Sequence, residues 1–222
     1  MTKRRLMVSV AELLLGIAPI VAQTRATPAP VPMSTFQDTE TGVRFRYPLV
    51  WKQVSPTDEY ASSAIWSSGE TPKIMVAFSP KGNVYAKTSL ELLSFIFLVP
   101  VVHSEPECLN RVLKNDALKS FDKKTIHDVV YQHGSGGGAG MCHGQNYDVY
   151  ATYRGGRCFV FEKDFNTHCT SSDDGTRELT PTEEKALQHQ LDGIMQSVTF
   201  PKQIDRCSKC RLNVRARPPR LS

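Results

Sequence analysis

The chain has 222 residues, a net charge of +5 and a normal share of charged and hydrophobic residues. That composition excludes general disorder and leaves enough length for one domain with a real core. The positive charge sits at the two ends, in Lys3, Arg4 and Arg5 and in Lys202, Arg206, Lys209, Arg211, Arg215, Arg217 and Arg220. The body between them carries a small net negative charge, so it offers no basic face for nucleic acid.

Residues 1–22 read as a secretory signal peptide. A positive n-region (Lys3, Arg4, Arg5) precedes an apolar stretch from Leu6 to Ala22, and small Ala22 closes a cleavage boundary before Gln23. Glu12 interrupts the apolar stretch, which is also too short for a spanning helix, and no cysteine follows to form a lipoprotein box. The mature chain is expected in the periplasm or outside the cell, without a transmembrane span. Residues 23–34 read as a linker, because alternating prolines favour an extended chain. The fold is expected over 35–201. A basic tail over 202–222, with Pro218 and Pro219 and no apolar periodicity, is expected to be solvated and able to touch an anionic surface.

Within the body, Val43, Phe45 and Tyr47 alternate with Arg44 and Arg46, a half-buried strand pattern that Pro48 ends. Ala64–Trp66 and Ile74–Phe78 follow as short strands, the second closed by the turn residues Ser79 to Gly82. Three hydroxyl–glutamate pairs predict helix starts by the capping box: Thr88 with Glu91, Ser104 with Glu107, and Thr180 with Glu183. Leu90–Leu98 is apolar nearly all round, which periodicity assigns to either a buried helix or a buried strand. The second helix is expected to present Leu109, Val112, Leu113, Ala117 and Phe121 on one face. The third presents Leu187, Leu191, Ile194, Met195 and Val198. Between them lie expected strands at Thr125–Tyr131, Tyr147–Tyr153 and Cys158–Lys163. Gly155 and Gly156 supply a tight turn between the last two. The pattern predicts an α+β fold, an antiparallel β-sheet covered by helices.

Phe36-x-Asp38…Thr41-Gly42-Val43-x-Phe45-x-Tyr47-Pro48-x-x-Trp51 resembles the opening strand pair of the PsbP-like fold. That fold occurs in photosystem accessory proteins and exported bacterial proteins. The segment Thr88–Leu98 and the last helix, leading to Ser197-Val198-Thr199-Phe200, match its order of elements. The resemblance implies an α-β-α sandwich over residues 35–200. It also implies action by assembly or binding, with no catalytic residues to carry over. The Gly-rich segment and the cysteine-bearing tail depart from the family pattern.

Cys108, Cys142, Cys158, Cys169, Cys207 and Cys210 form an even set, which in an exported chain predicts disulfides. Fifteen pairings are open; Cys158 with Cys169 and Cys108 with Cys142 are two that would tie neighbouring elements. The Cys207-Ser208-Lys209-Cys210 motif has no second pair for a zinc ribbon and no following histidine for haem attachment. Lys209 and Arg211 would favour a thiolate there, but the setting is a basic tail, so a local disulfide is expected. The run from His133 to His143 offers His133, Cys142 and His143 as ligand types for zinc or copper. Its glycines instead predict a flexible loop between two strands. No Gly-Lys-Ser/Thr follows for a phosphate cradle, and no nucleophile elbow surrounds Ser135. No catalytic set and no cofactor are assigned. The sequence points to an exported, disulfide-stabilised binding or assembly protein whose partner is an envelope or extracellular protein. The alternative is an exported thiol-redox or metal-dependent hydrolytic enzyme.

Overall fold

A computed structural model describes residues 31–54, 72–79, 84–140, 142–170, 173 and 175–201. The signal segment, the linker up to Pro30, the expected strand at Ala64–Trp66 and the tail with Cys207 and Cys210 lie outside the described residues. In chain order the elements are β1 (Met33–Gln37), β2 (Arg44–Pro48), β3 (Lys52–Val54), β4 (Ile74–Phe78), β5 (Leu90–Leu98), α1 (Glu105–Leu113), β6 (Leu118–Ile126), β7 (Val129–Gly140), β8 (His143–Arg154), β9 (Arg157–His168) and α2 (Pro181–Gln196). The first strand starts at Met33, inside the segment expected to be linker.

Gly155 and Gly156 set the register of the molecule. Both have positive φ, 56° and 79°, which glycine adopts without a Cβ clash. The turn folds β8 onto β9 so that Arg154 faces Arg157, and pairing runs unbroken to His143 and His168. This long hairpin lies inside a seven-stranded antiparallel sheet of order β3-β4-β5-β9-β8-β7-β6. The β1–β2 hairpin forms its own two-stranded sheet.

Each face of the large sheet carries a helix. On one side α2 and the β1–β2 hairpin enclose Phe45, Phe95, Phe97, Phe161, Leu187 and Ile194. The rings of Phe97 and Phe161 stack there, 5.0 Å apart and 13° from parallel. On the other side α1 brings Cys108 and Val112 onto Ile96, Val149 and Val160. The result is the expected α+β sandwich with helices on both faces. Full burial on either side makes large-to-small changes such as Phe161→Ala costly, about 3–5 kcal/mol each.

The helix at the end of the domain follows its sequence signal. The Thr180 hydroxyl accepts from the Glu183 backbone N–H at 3.3 Å, and the Glu183 carboxylate accepts from the Thr180 N–H at 2.9 Å. Leu187, Leu191, Ile194 and Met195 are buried. At α1, Ser104 caps Glu107, whose carboxylate turns to the His103 N–H at 2.8 Å.

Four further expectations change. Thr88 and Glu91 start no helix: Leu90–Leu98 is strand β5, apolar all round because both faces of a central strand are covered. The second helix ends at Leu113, so Ala117 and Phe121 lie beyond it; Leu113 and Phe121 are exposed. Thr125–Tyr131 is not one strand but the end of β6, a turn and the start of β7. His127 and Asp128 form that turn with φ of 47° and 65°. A tight turn without glycine carries no ordinary sequence mark. Finally, the Gly-rich run is not a loop. Gly134 to Gly140 belong to β7 and pair with β8 down to His143. Among them, Gly134 and Gly136 permit close approach: a Cβ on Gly134 would meet Leu118 and Val112 side chains at 2.7 and 2.8 Å, and one on Gly136 would meet the Ala117 carbonyl oxygen at 2.1 Å.

Candidate functional site

On the α2 face, a row of alternating charges crosses the sheet. Strand periodicity puts Asp122 of β6, His133 of β7, Asp148 of β8 and Lys163 of β9 on the same face; Asp122 pairs with His133 and Asp148 with Lys163, while His133 faces Tyr150 and reaches Asp148 on the diagonal. His133 is buried, with Nδ1 2.6 Å from Asp122 Oδ1 and Nε2 3.0 Å from Asp148 Oδ1. Each ring nitrogen therefore has a carboxylate oxygen as its partner. Asp148 Oδ2 also receives Lys163 Nζ at 2.9 Å, and Lys163 reaches Asp192 of α2 at 2.6 Å. The ammonium lies 5.4 Å from the centre of the Tyr150 ring.

The electrostatics favour the charged forms of Lys163, Asp148 and Asp122. Burial alone depresses the Lys163 ammonium, but Tyr150, Asp148 and Asp192 outweigh it and raise its pKa. Burial likewise pushes the Asp148 carboxyl up, while His133 and Lys163 pull it below the usual carboxylate range. Asp122 is lowered by its hydrogen bonds to Lys124 and then His133. A cavity of about 170 Å³ opens beside the row, lined by Asn146, Asp148, Lys163, Phe165, Gln188 and Asp192. Its polar rim suits a small polar group. Because the row's charges already pair with one another, the arrangement anchors α2 and orients donors more readily than it supplies a free base.

The opposite face of β9 carries a second ionisable group. Asp164 is buried and accepts from Ser94 Oγ at 2.8 Å. Burial pushes its carboxyl up to about 6, against the lowering effect of hydrogen bonds with buried Glu162 and Ser94. Lys163 and its two acidic neighbours therefore point to opposite sides of one strand.

Of the metal candidates, His133 and His143 are separated. Seven residue steps along β7 separate His133 from Gly140, the partner of His143, which is roughly 24 Å of strand. His143 Nδ1 is 3.2 Å from Glu91 Oε2, and Cys142 precedes it at the β7–β8 connection with φ 71°. Among the described residues, no group of three or more His, Cys, Asp or Glu is placed to hold a metal ion.

Cys108 of α1 is bonded to Cys158 of β9, with Cα atoms 5.5 Å apart. This replaces both pairings suggested by chain proximity. Cys158 and Cys169 stand near opposite ends of β9, and Cys142 stands at the far end of β8 from the α1 crossing, roughly 35 Å away in each case. Cys142 and Cys169 instead meet each other. Asp122, Asp148, Lys163 and Asp192 carried no motif in the sequence. Counting outward from the Gly155–Gly156 turn would have set Asp148 opposite Lys163.

No protein-family model matches the chain, and no curated protein matches it. The fold is similar to the solution structure of cyanobacterial PsbP (CyanoP) from Synechocystis, at 15% identity, covering 84% of this chain and 99% of that one, TM-score 0.41. It is also similar to the Ran-binding protein Mog1p of Saccharomyces cerevisiae, at 8% identity, covering 77% and 96%, TM-score 0.42. LpqN of Mycobacterium tuberculosis, involved in cell envelope biogenesis, aligns at 12% identity over 78% and 82%, TM-score 0.31. At these identities and TM-scores each is a partial likeness of fold alone.

Proposed function

We propose that this chain is exported and acts by binding or assembly with an envelope or extracellular protein. The observation that carries the reading is the Cys108–Cys158 disulfide, buried between α1 and the sheet. Such bonds persist in oxidising compartments and are rare in the cytosol. The N-terminal pattern of cations, apolar stretch and small-residue boundary supports the same compartment.

Binding is supported by a patch at the open end of the β1–β2 hairpin. Val31, Met33, Leu49 and Val50 are 58%, 43%, 62% and 65% exposed. Met33 pairs with Pro48, and the Leu49 N–H donates to the Pro32 carbonyl, so all four gather at one corner. Clustered exposed apolar side chains mark protein-contact sites more often than solitary ones do.

The test is affinity capture of the mature chain from its own envelope fraction, beside a Leu49→Asp/Val50→Asp variant, with mass measurement of the N-terminus. The reading expects a chain lacking residues 1–22, an oxidised Cys108–Cys158 bond, and a defined partner lost in the variant. A chain starting at Met1 with reduced Cys108 in the cytosol overturns export. Identical capture by the variant overturns the corner as the contact.

A further inference from the structure

Cys142 and Cys169 are the described cysteines outside the disulfide, and both are exposed. They directly extend the β8–β9 pairing, whose last pair is His143 with His168. The Cys169 N–H donates to the Cys142 carbonyl at 2.7 Å. Directly opposed residues of this hydrogen-bonded kind have Cα atoms about 5.5 Å apart. Disulfides span Cα separations of about 4.4–6.8 Å.

Two further observations point to the same pair. Cys142 holds a left-handed backbone, φ 71°, a conformation that favours glycine and costs other residues about 1 kcal/mol or more. The position nonetheless holds a cysteine, whose side chain is hydrogen-bonded with that of Cys169. The Cys169 thiol is pushed up chiefly by its hydrogen bond with Cys142, then by burial.

The surroundings give closure a consequence. The His168 N–H donates to Ser89 ahead of β5, and the Ser89 N–H donates to the Arg177 carbonyl just before α2. Thr170 donates to Glu178 at 2.9 Å. A bond at this rim would fix the junction of β8, β9, β5 and the approach to α2.

We propose that Cys142 and Cys169 form a thiol–disulfide exchange site that takes a small or protein disulfide as substrate and closes to a second intramolecular bond at this rim. With oxidised glutathione, one thiol loses its proton and its thiolate attacks a glutathione sulfur. A mixed disulfide forms, and one glutathione leaves as thiolate. The second cysteine thiolate then attacks the protein sulfur of that mixed disulfide, and the other glutathione leaves. The glutathione disulfide gains two electrons, the two cysteine thiols lose them, and the two released protons end on the glutathione thiolates. This chemistry needs no assumption about export.

The experiment treats the purified full chain, and its Cys207→Ser/Cys210→Ser variant, with oxidised glutathione. Free thiols are then blocked with iodoacetamide, and the non-reduced digest is read by mass spectrometry. Both proteins are expected to lose the reactivity of Cys142 and Cys169 together and to yield one peptide linking them. The Cys108–Cys158 peptide persists and circular dichroism is unchanged. In a Cys142→Ser variant, Cys169 should stop at the mixed disulfide with glutathione. The proposal is overturned if both thiols stay alkylatable, if each carries its own glutathione, or if Cys142 links to Cys207 or Cys210.

Discussion

Lys163 of β9 stands opposite Asp148 of β8 and also reaches Asp192 of α2, at 2.9 and 2.6 Å. One buried ammonium thereby joins a strand pair to the helix covering it. The Lys163 side chain is only 7% exposed, whereas Asp148 and Asp192 keep 36% and 54% exposure. Water reaches the acids, so the pairings are partly screened.

Lys163→Met keeps most of the side-chain volume and removes the charge. The two carboxylates left behind can rehydrate, so the loss falls below that of a fully buried broken pair, at about 1–2 kcal/mol. Urea unfolding measures it. In a double-mutant cycle with Asp192→Asn, the two losses should fall short of adding, because they share one interaction. Strict additivity would show that Lys163 and Asp192 do not act on each other.

The Cys108–Cys158 bond spans 50 residues of chain. The chain-entropy relation gives about 4 kcal/mol for such a loop. A Cys108→Ser/Cys158→Ser chain should lose stability on that scale in urea, and the wild type in reductant should fall to the same midpoint. An unchanged midpoint in both would remove this bond from the account of stability.

How far the sequence could be read depends on what each signal encodes. Val43, Phe45 and Tyr47 and the Gly155–Gly156 turn mark structure through local periodicity and φ, so the opening hairpin and the β8–β9 turn were legible. Thr88 with Glu91 has the spacing of a cap, but spacing alone cannot tell a helix start from the lead into a doubly buried strand. Gly134 and Gly136 carry no local strand signal, because the close approach of Ala117 and Leu118 that they permit is a tertiary demand. The charge row stayed hidden for a similar reason. Asp122, His133, Asp148 and Lys163 come from four strands, and only the sheet's register makes them neighbours.

Asp164 predicts an acid-side dependence of stability. Burial raises its carboxyl from 3.8 to about 6. Between these values the native state binds more protons than the unfolded state, so stability falls as pH rises from about 4 to about 6. The resulting penalty persists at neutral pH and is about 3 kcal/mol at most. Asp164→Asn should therefore unfold later than wild type at pH 7 and no later at pH 3.5, with a flatter profile between. A variant less stable at pH 7 would mean that ionised Asp164 is the preferred native form.

The glycines of β7 give a test with an internal control. An added Cβ at Gly136 would meet the Ala117 carbonyl oxygen at 2.1 Å and the Leu118 Cα at 2.8 Å, while one at Gly138 meets nothing within 4 Å. Backbone atoms cannot rotate aside, so Gly136→Ala must push the Ala117–Leu118 segment off the strand, costing about 1–3 kcal/mol. Gly138→Ala adds no contact and lowers the entropy of the unfolded chain, so it should be neutral or stabilising by about 0.5 kcal/mol. Gly134 falls between them, because a Cβ there meets Leu118 Cδ1 and Val112 Cγ1, side-chain ends able to shift. The expected order of melting temperatures is Gly138→Ala highest, then Gly134→Ala, then Gly136→Ala. Equal values for all three would return the segment to a loop of interchangeable glycines, because only a strand with α1 and β6 pressed against one end distinguishes these positions.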